Sequence, residues 1–137
     1  MEFNVCITEQ SSSNYSICGP NINNYQTFAI QYRSTTKEIW FAGPNARQNA
    51  WQSDGWKSCD LGFDVYHKLR LEYIKDTNTL NGYVDDVLIT TSQLSDIPNA
   101  SSDTMKLGMN YQTQFALQGI IDLSKSYIEV DGVRQFN

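Results

Sequence analysis

The chain has 137 residues, which is enough for one domain with a single hydrophobic core. Hydrophobic residues make up 40% and charged residues 18%, a balance that favours a folded chain over a disordered one. The net charge of -5 argues against nucleic acid or an anionic membrane as a partner, because an acidic protein is repelled by phosphates. No run approaches the ~20 apolar residues of a membrane helix, so we expect no membrane insertion. Neutral sugars remain compatible with this composition.

The three cysteines are Cys6, Cys18 and Cys59, and their odd number and irregular spacing do not indicate a disulfide framework. The single histidine, His67, cannot complete a usual zinc site. We therefore expect three reduced thiols in a protein made in a cytoplasm, with a Cys6–Cys18 bridge across neighbouring strands as the alternative. The opening residues have neither a basic start nor an apolar run, so we expect no signal peptide.

Alternating apolar and polar residues predict a succession of short strands. The first carries Phe3, Val5 and Ile7 on one face, and a short second strand, Tyr15–Cys18, ends at Gly19–Asn21. The next two predicted strands form a hairpin and are Gln26–Arg33 and Glu38–Ala42.

Regular alternation stops between Gly43 and Phe63. Roughly 20 residues without a period is long for a compact domain, and such loops are usually functional or locally packed. Beyond them the pattern predicts a three-strand meander and four further strands, the last two joined by a type I′ turn at Asp131–Gly132. A helical turn is also expected around Ser92–Leu94. The predicted strands are Asp64–Ile74, Thr79–Val84, Val87–Thr91, Met105–Met109, Ile120–Leu123, Tyr127–Val130 and Val133–Phe136. About ten to twelve short strands predict an all-β fold, an antiparallel two-sheet β-sandwich over residues 1–137.

Two segments in the middle of the chain resemble the concanavalin A-like (laminin-G-type) jelly-roll superfamily of lectins and glucanases. Tyr66–Tyr73 begins with the aromatic-His-basic-apolar order of that family, and Thr79–Asp86 ends in Tyr-Val-Asp-Asp where Tyr-Val-Asp-Gly is usual. Asp86 tolerates the left-handed conformation that the turn needs. The resemblance implies a jelly roll. Members usually carry another edge strand before the position of Glu2, so the domain is expected to lack that strand or to receive it from a partner.

The closing strands resemble a narrower set, the jelly-roll modules of bacteriophage virions found in tail and head fibres and in minor structural proteins. The similar segments are Lys106–Gly108, Gly119–Leu123 and Tyr127–Gly132. Together with the preceding segments, the resemblance covers about half of the chain, roughly from Tyr66 to Phe136. It implies a protein exposed on a virion surface, with other virion proteins as partners and a homotrimeric fibre as the assembly.

A catalytic role is not expected. Glycosidases of this fold resemble one another in a Glu-x-Asp-x-x-Glu motif that presents the carboxylate pair of retaining hydrolysis. Glu129-Val130-Asp131 begins this motif, but Gly132 follows and the third carboxylate is missing, so a turn explains the segment better. His67 alternates in phase with Val65 and Leu69, which favours a core or half-buried side chain bonded to the backbone.

Aromatic residues in the irregular stretch predict a sugar site. An indole stacks on the apolar face of a pyranose, and nearby amide and carboxylate groups bond its hydroxyls. Trp56 is the favoured anchor because it precedes a strand, although both Trp51 and Trp56 could instead pin a long loop to the sheet. Trp40, flanked by Ile39 and Phe41, is expected in the core. A second loop, residues 110–115, would contribute at the same end of the jelly roll. The candidate ligand-binding residues are Trp51, Trp56, Asp54, Arg47, Asn49, Tyr111 and Gln112.

No cofactor is expected, with calcium as the one option that the oxygen-rich loops leave open. The candidate loops are Asp54-Gly55 with Asp60, and Asp85-Asp86, the second of which is most simply a hairpin turn. The leading hypothesis is a non-catalytic phage module that binds a cell-surface glycan or polysaccharide. The alternatives are a purely structural decoration or assembly domain of the virion, and, least favoured, a divergent glycoside hydrolase.

Overall fold

A computed structural model describes residues 1–11, 14–20, 27–45, 47–48, 50–98, 105–109 and 115–136. These residues include twelve strands and the 3-10 turn Lys75–Thr77. Among the described residues, no helix is long and apolar enough to cross a membrane. The strands are β1 Glu2–Ile7, β2 Tyr15–Pro20, β3 Ala29–Arg33, β4 Glu38–Asn45, β5 Ala50–Gln52, β6 Lys57–Ser58, β7 Tyr66–Ile74, β8 Thr79–Val84, β9 Val87–Gln93, β10 Met105–Leu107, β11 Gly119–Val130 and β12 Val133–Phe136.

The strands form two antiparallel sheets. Sheet 1 has the order β12-β11-β1-β7-β8-β9, and sheet 2 has the order β10-β2-β3-β4-β5, with β6 also paired to β4. The predicted all-β, two-sheet antiparallel sandwich is therefore confirmed.

The hydrophobic core contains residues from both sheets and from two connecting loops. The inward faces alternate as the sequence predicts, because every second residue of a strand points to the same side. The buried residues of the core are Phe3, Val5, Ile7, Tyr15, Ile17, Cys18, Ile30, Tyr32, Ile39, Phe41, Leu61, Leu69, Leu71, Leu80, Val84 and Leu94.

The predicted hairpins of sheet 1 are confirmed. Strands β7, β8 and β9 form the three-strand meander, and the turn between β8 and β9 places Asp85 at φ 50° and Asp86 at φ 67°. The turn between β11 and β12 has φ 50° at Asp131 and φ 78° at Gly132. Both turns have positive φ at their two central residues, as a type I′ turn requires. The interpretation of Glu129–Gly132 as a strand end and turn is therefore confirmed.

Several predicted boundaries are wrong because tertiary pairing extends the strands. β2 continues through Gly19 and Pro20, since β10 pairs with this end of it. The stretch from Gly43 to Phe63 is not wholly irregular, because it holds the end of β4 and the short strands β5 and β6.

Three further predictions are corrected in sheet 1. Ser92 lies in β9 and not in a helical turn, and Val65 precedes β7 and is exposed instead of facing the core. The two predicted strands between Ile120 and Val130 are one strand, β11, whose register against β1 shifts between Glu2 and Asn4.

The cysteines are free thiols. Cys6 lies on β1 in sheet 1 and Cys18 on β2 in sheet 2, so these strands are not neighbours in a sheet. The predicted free thiols are confirmed and the alternative Cys6–Cys18 bridge is wrong.

Candidate functional site

On one side of β4, the pairing strand changes from β6 to β5 near the middle of β4. β6 pairs with the first residues of β4 and β5 with the last ones, both on the edge opposite β3. The connecting residues 53–56 therefore pass beside Trp40. This arrangement brings Trp51, on β5, and Trp56, immediately before β6, to the same place on the sheet.

The three tryptophans form one group, here termed the indole cluster: Trp40, Trp51 and Trp56. The Trp40 and Trp51 ring centroids are 5.5 Å apart and nearly perpendicular at 86°. Those of Trp40 and Trp56 are 5.9 Å apart and stacked at 22°. All three side chains are half-buried. The cluster lies on the outer face of sheet 2, because the neighbours Ile39 and Phe41 point into the core. The expectation that Trp40 packs in the core is therefore wrong.

Arg33 completes one side of the cluster. Its guanidinium carbon lies 3.7 Å from the Trp56 ring centroid, a cation–π contact that covers part of the ring. Arg33 Nε donates to Asn14 Oδ1 at 3.0 Å, and Nη1 lies 3.7 Å from Glu38 Oε2. A sugar that uses Trp56, the favoured anchor in the sequence, must share the ring with this guanidinium.

Hydrogen bonds to both sheets hold the loop of residues 53–56 in place. Trp40 Nε1 donates to Ser53 Oγ at 2.6 Å, so this indole N–H is engaged within the protein. The Asp54 backbone N–H donates to Ser92 Oγ at 2.9 Å, which ties the loop to β9 of sheet 1. The Asp54 carboxylate lies 2.6 Å from Lys57 Nζ. Asp54 is therefore placed beside the cluster, as the sequence predicts.

Arg47 lies at the turn between β4 and β5. It forms an ion pair with Asp96 at 3.6 Å. The same Asp96 accepts a hydrogen bond from the buried Asn45, and its backbone N–H donates to the buried Gln52. The hydrogen bonds of Gln52 point inward and hold β5 in place. Trp51 is the preceding residue of the same strand, so its side chain points outward. The predicted ligand residues Asn49, Tyr111 and Gln112 lie outside the described residues.

His67 is half-buried, as predicted, but its partner is a carboxylate and not the backbone. His67 Nδ1 lies 2.7 Å from Asp85 Oδ2, and the Lys68 backbone N–H donates to Asp85 Oδ1 at 2.9 Å. Burial raises the pKa of Asp85, but the hydrogen bonds from His67 and Lys68 outweigh this effect, so its pKa is lower than usual. The pair closes the β8–β9 turn onto β7, which is a structural role.

The carboxylates of the candidate calcium loops face basic side chains. Within the described part of the chain, no group of three or more His, Cys, Asp and Glu side chains is placed to hold a metal ion. A hydrogen bond from Lys37 holds the pKa of Asp60 below its usual value. The ion pairs of these loops are Asp54–Lys57, Asp60–Lys37 and Asp86–Lys68, and Asp85 is hydrogen-bonded to His67.

The comparisons with known proteins place the fold beside one solved structure. No protein-family model and no curated protein matches the chain. The fold is similar to that of a carbohydrate-binding module, CBM66 from Bacillus subtilis, at 14% identity and a TM-score of 0.49. The match covers 80% of this chain and 70% of that one. A likeness at this identity and TM-score does not identify a ligand for this chain. The concanavalin A-like and phage resemblances stay predictions.

Proposed function

We propose that this protein is a non-catalytic carbohydrate-binding module whose ligand lies on the indole cluster. One observation carries the proposal: all three tryptophans of the chain meet, half-buried, on the outer face of one sheet. Large aromatic side chains usually fill the core, and grouped aromatic surface outside it is typical of binding sites.

The chemistry of the cluster suits a sugar. Indole rings offer flat apolar surface to the C–H face of a pyranose, and polar groups at their edge bond its hydroxyls. Asp54, Lys57 and Ser53 supply such groups beside Trp40 and Trp56. Because sheet and loop bonds hold the rings, little ordering is needed on binding, which favours affinity.

Further contacts are proposed from the sequence. Asn49 is separated from Trp51 in the chain by Ala50 alone, and Tyr111 and Gln112 belong to a loop that a jelly roll would bring to the same end. Arg47 would take part by exchanging its pair with Asp96 for a ligand oxygen.

The proposed setting is a bacteriophage fibre-type protein exposed on the virion, with a host-surface glycan as the ligand. The support is the resemblance of the closing strands to virion jelly-roll modules. A shallow site on one domain binds single sugars weakly, so a homotrimer would raise the overall affinity through simultaneous contacts.

A second candidate is an assembly domain of the virion that contacts only proteins. The hairpin of β11 and β12 favours it, because Val130 is 53% and Val133 61% exposed and β12 is one of the two edge strands of sheet 1. The backbone groups of an exposed edge strand can pair with another chain, and the two exposed valines add apolar surface beside it.

Tryptophan fluorescence tests the proposed function directly, since every tryptophan of the chain lies in the cluster. The probes are dextran, mannan, galactan and host cell-wall polysaccharide. We expect emission to shift on binding, and Trp40→Ala and Trp51→Ala to weaken binding at least about tenfold. Because these variants lose emission, their affinities are measured by calorimetry.

Tyr66→Ala is the matched control, an exposed aromatic on sheet 1, and it should bind like wild type. Circular dichroism melts establish that each variant is folded. Unchanged binding in both tryptophan variants, or no binding to any probe under multivalent display, would reject the proposal and favour the assembly domain. EDTA is expected to leave binding unchanged, and reducing ends should not accumulate on the bound polysaccharide.

A further inference from the structure

We propose that Arg33 is a ligand-binding residue, and that its two terminal nitrogens donate hydrogen bonds to oxygens of an uncharged saccharide on the indole cluster. The inference rests on the proposed function and adds to it a binding residue and a ligand class.

Arg33 is held in place while its terminal donors remain unused. The ring of Trp56 fixes the guanidinium plane from 3.7 Å, and Nε is occupied by Asn14. Nη1 is 3.7 Å from Glu38, beyond hydrogen-bond length, and neither Nη nitrogen bonds to any residue that the structure describes. The side chain is 36% exposed, so these donors face solvent at the edge of the cluster. A fixed guanidinium with free donors loses little freedom when it binds a ligand oxygen.

The charges around the cluster indicate an uncharged ligand. Arg33 faces Glu38 across the β3–β4 pair, and Lys57 is bonded to Asp54. Each positive charge beside the rings therefore has a negative partner. A carboxylate or sulfate brought to Arg33 would also approach Glu38, and a like charge there opposes binding. A hydroxyl or ring oxygen accepts the same hydrogen bonds without that repulsion.

A purely structural role for Arg33 would be to shield Trp56 from water. Sheet 1 contains a similar stacked arginine, because the Arg70 guanidinium carbon lies 3.8 Å from the Tyr83 ring centroid and its Nη1 lies 3.9 Å from Glu72 Oε1. Arg70 is therefore a matched control: its removal perturbs a stacked arginine on the opposite sheet, away from the cluster.

The test titrates wild type, Arg33→Ala, Arg33→Lys and Arg70→Ala with matched neutral and acidic polysaccharides. The pairs are dextran with dextran sulfate, and galactan with polygalacturonate, each at low and high salt. We expect wild type to bind a neutral member and to do so independently of salt. Both Arg33 variants should bind it about tenfold more weakly or worse, because lysine keeps the charge but not the paired donors. Arg70→Ala should bind like wild type.

Two results would overturn the inference and leave the proposed function standing. One is Arg33→Ala binding neutral polysaccharide as well as wild type or better, which is the outcome for a residue that only covers Trp56. The other is salt-sensitive binding of the acidic members alone. If wild type binds no member of either pair and no probe of the earlier panel, the proposed function itself fails, and the inference with it.

Discussion

Replacing Gly82 by alanine is expected to destabilise the sandwich, because the Phe41 ring of sheet 2 packs directly against this glycine of sheet 1. Gly82 lies on β8, and a Cβ atom built there would lie 2.5 Å from Cγ and 2.7 Å from Cε2 of Phe41, and closer still to Cδ2. Carbon atoms in ordinary contact are ~3.5–4.0 Å apart. Phe41 is almost fully buried, so its ring must move by about 1 Å inside a close-packed core.

The expected cost follows from that overlap. Inserting a methyl group into a packed core costs ~1–3 kcal/mol, and overlap with several atoms of one ring favours the upper end of this range. Alanine is more favourable than glycine in a strand by ~0.5–1 kcal/mol, which offsets part of the cost. The net loss of unfolding free energy is therefore about 2 kcal/mol, equivalent to a fall in melting temperature of about 4–10 °C.

Urea unfolding followed by far-UV circular dichroism measures the effect. The midpoint should fall while the m-value stays unchanged. Gly43→Ala is the control, since its nearest contact is the flexible Leu94 Cδ1 at 3.1 Å, and its cost should stay within about 1 kcal/mol. Phe41→Leu should cost less in Gly82→Ala than in wild type, because it removes the overlap. Equal stability of both glycine variants, or additive effects in the double variant, would refute the steric argument.

Three further predictions concern other parts of the sandwich. Gly119→Ala should lower the free energy of unfolding by about 3 kcal/mol or more, because its Cβ would overlap the backbone carbonyl oxygen of Cys6, which cannot rotate away. Urea unfolding and amide exchange of β1 measure the loss, and a variant as stable as wild type would contradict the prediction. Burial raises the pKa of Asp85, but hydrogen bonds from His67 and Lys68 lower it below its value in the unfolded chain. The ionised Asp85 therefore stabilises the fold above pH ~4, and this stabilisation is lost as the pH falls through the folded-state pKa. Asp85→Asn should therefore reduce stability at neutral pH and flatten the acid limb of a stability–pH profile, whereas an unchanged acid limb would count against the pair. Burial raises the pKa of Cys18 to about 12, so iodoacetamide at about pH 8 should label Cys18 only after unfolding. Peptide mapping locates the label, and rapid labelling of Cys18 itself in the native protein would contradict its burial.

The strands of the sandwich can be predicted from the sequence because the alternation of apolar and polar residues is visible within a few consecutive residues. Strand β8 and its turn at Asp85–Asp86 combine a clear period with residues that accept positive φ, and both were predicted within the observed bounds. β5 and β6 have three and two residues, too few for any period, and they exist because β4 pairs with them. The extension of β2 over Gly19–Pro20 depends in the same way on β10.

The candidate site is only partly visible in the sequence. Trp51, Trp56 and Asp54 were predicted and do lie together around β4. Trp40 was missed although the signal was present, because an outward position between two inward residues is what alternation predicts for it. Arg33 was also missed, since its contact with Trp56 depends on the approach of β6 to β4, which no local pattern encodes.

The most direct test of the central claim is a titration of the isotope-labelled protein with the oligosaccharide that binds best in the polysaccharide panel, followed by two-dimensional NMR. We predict that the indole N–H signals of Trp40, Trp51 and Trp56 and the Arg33 guanidinium signal shift with one dissociation constant, while amides of β7 and β8 do not. Shifts confined to sheet 1 or to the β11–β12 hairpin, with the indole signals unmoved, would contradict it.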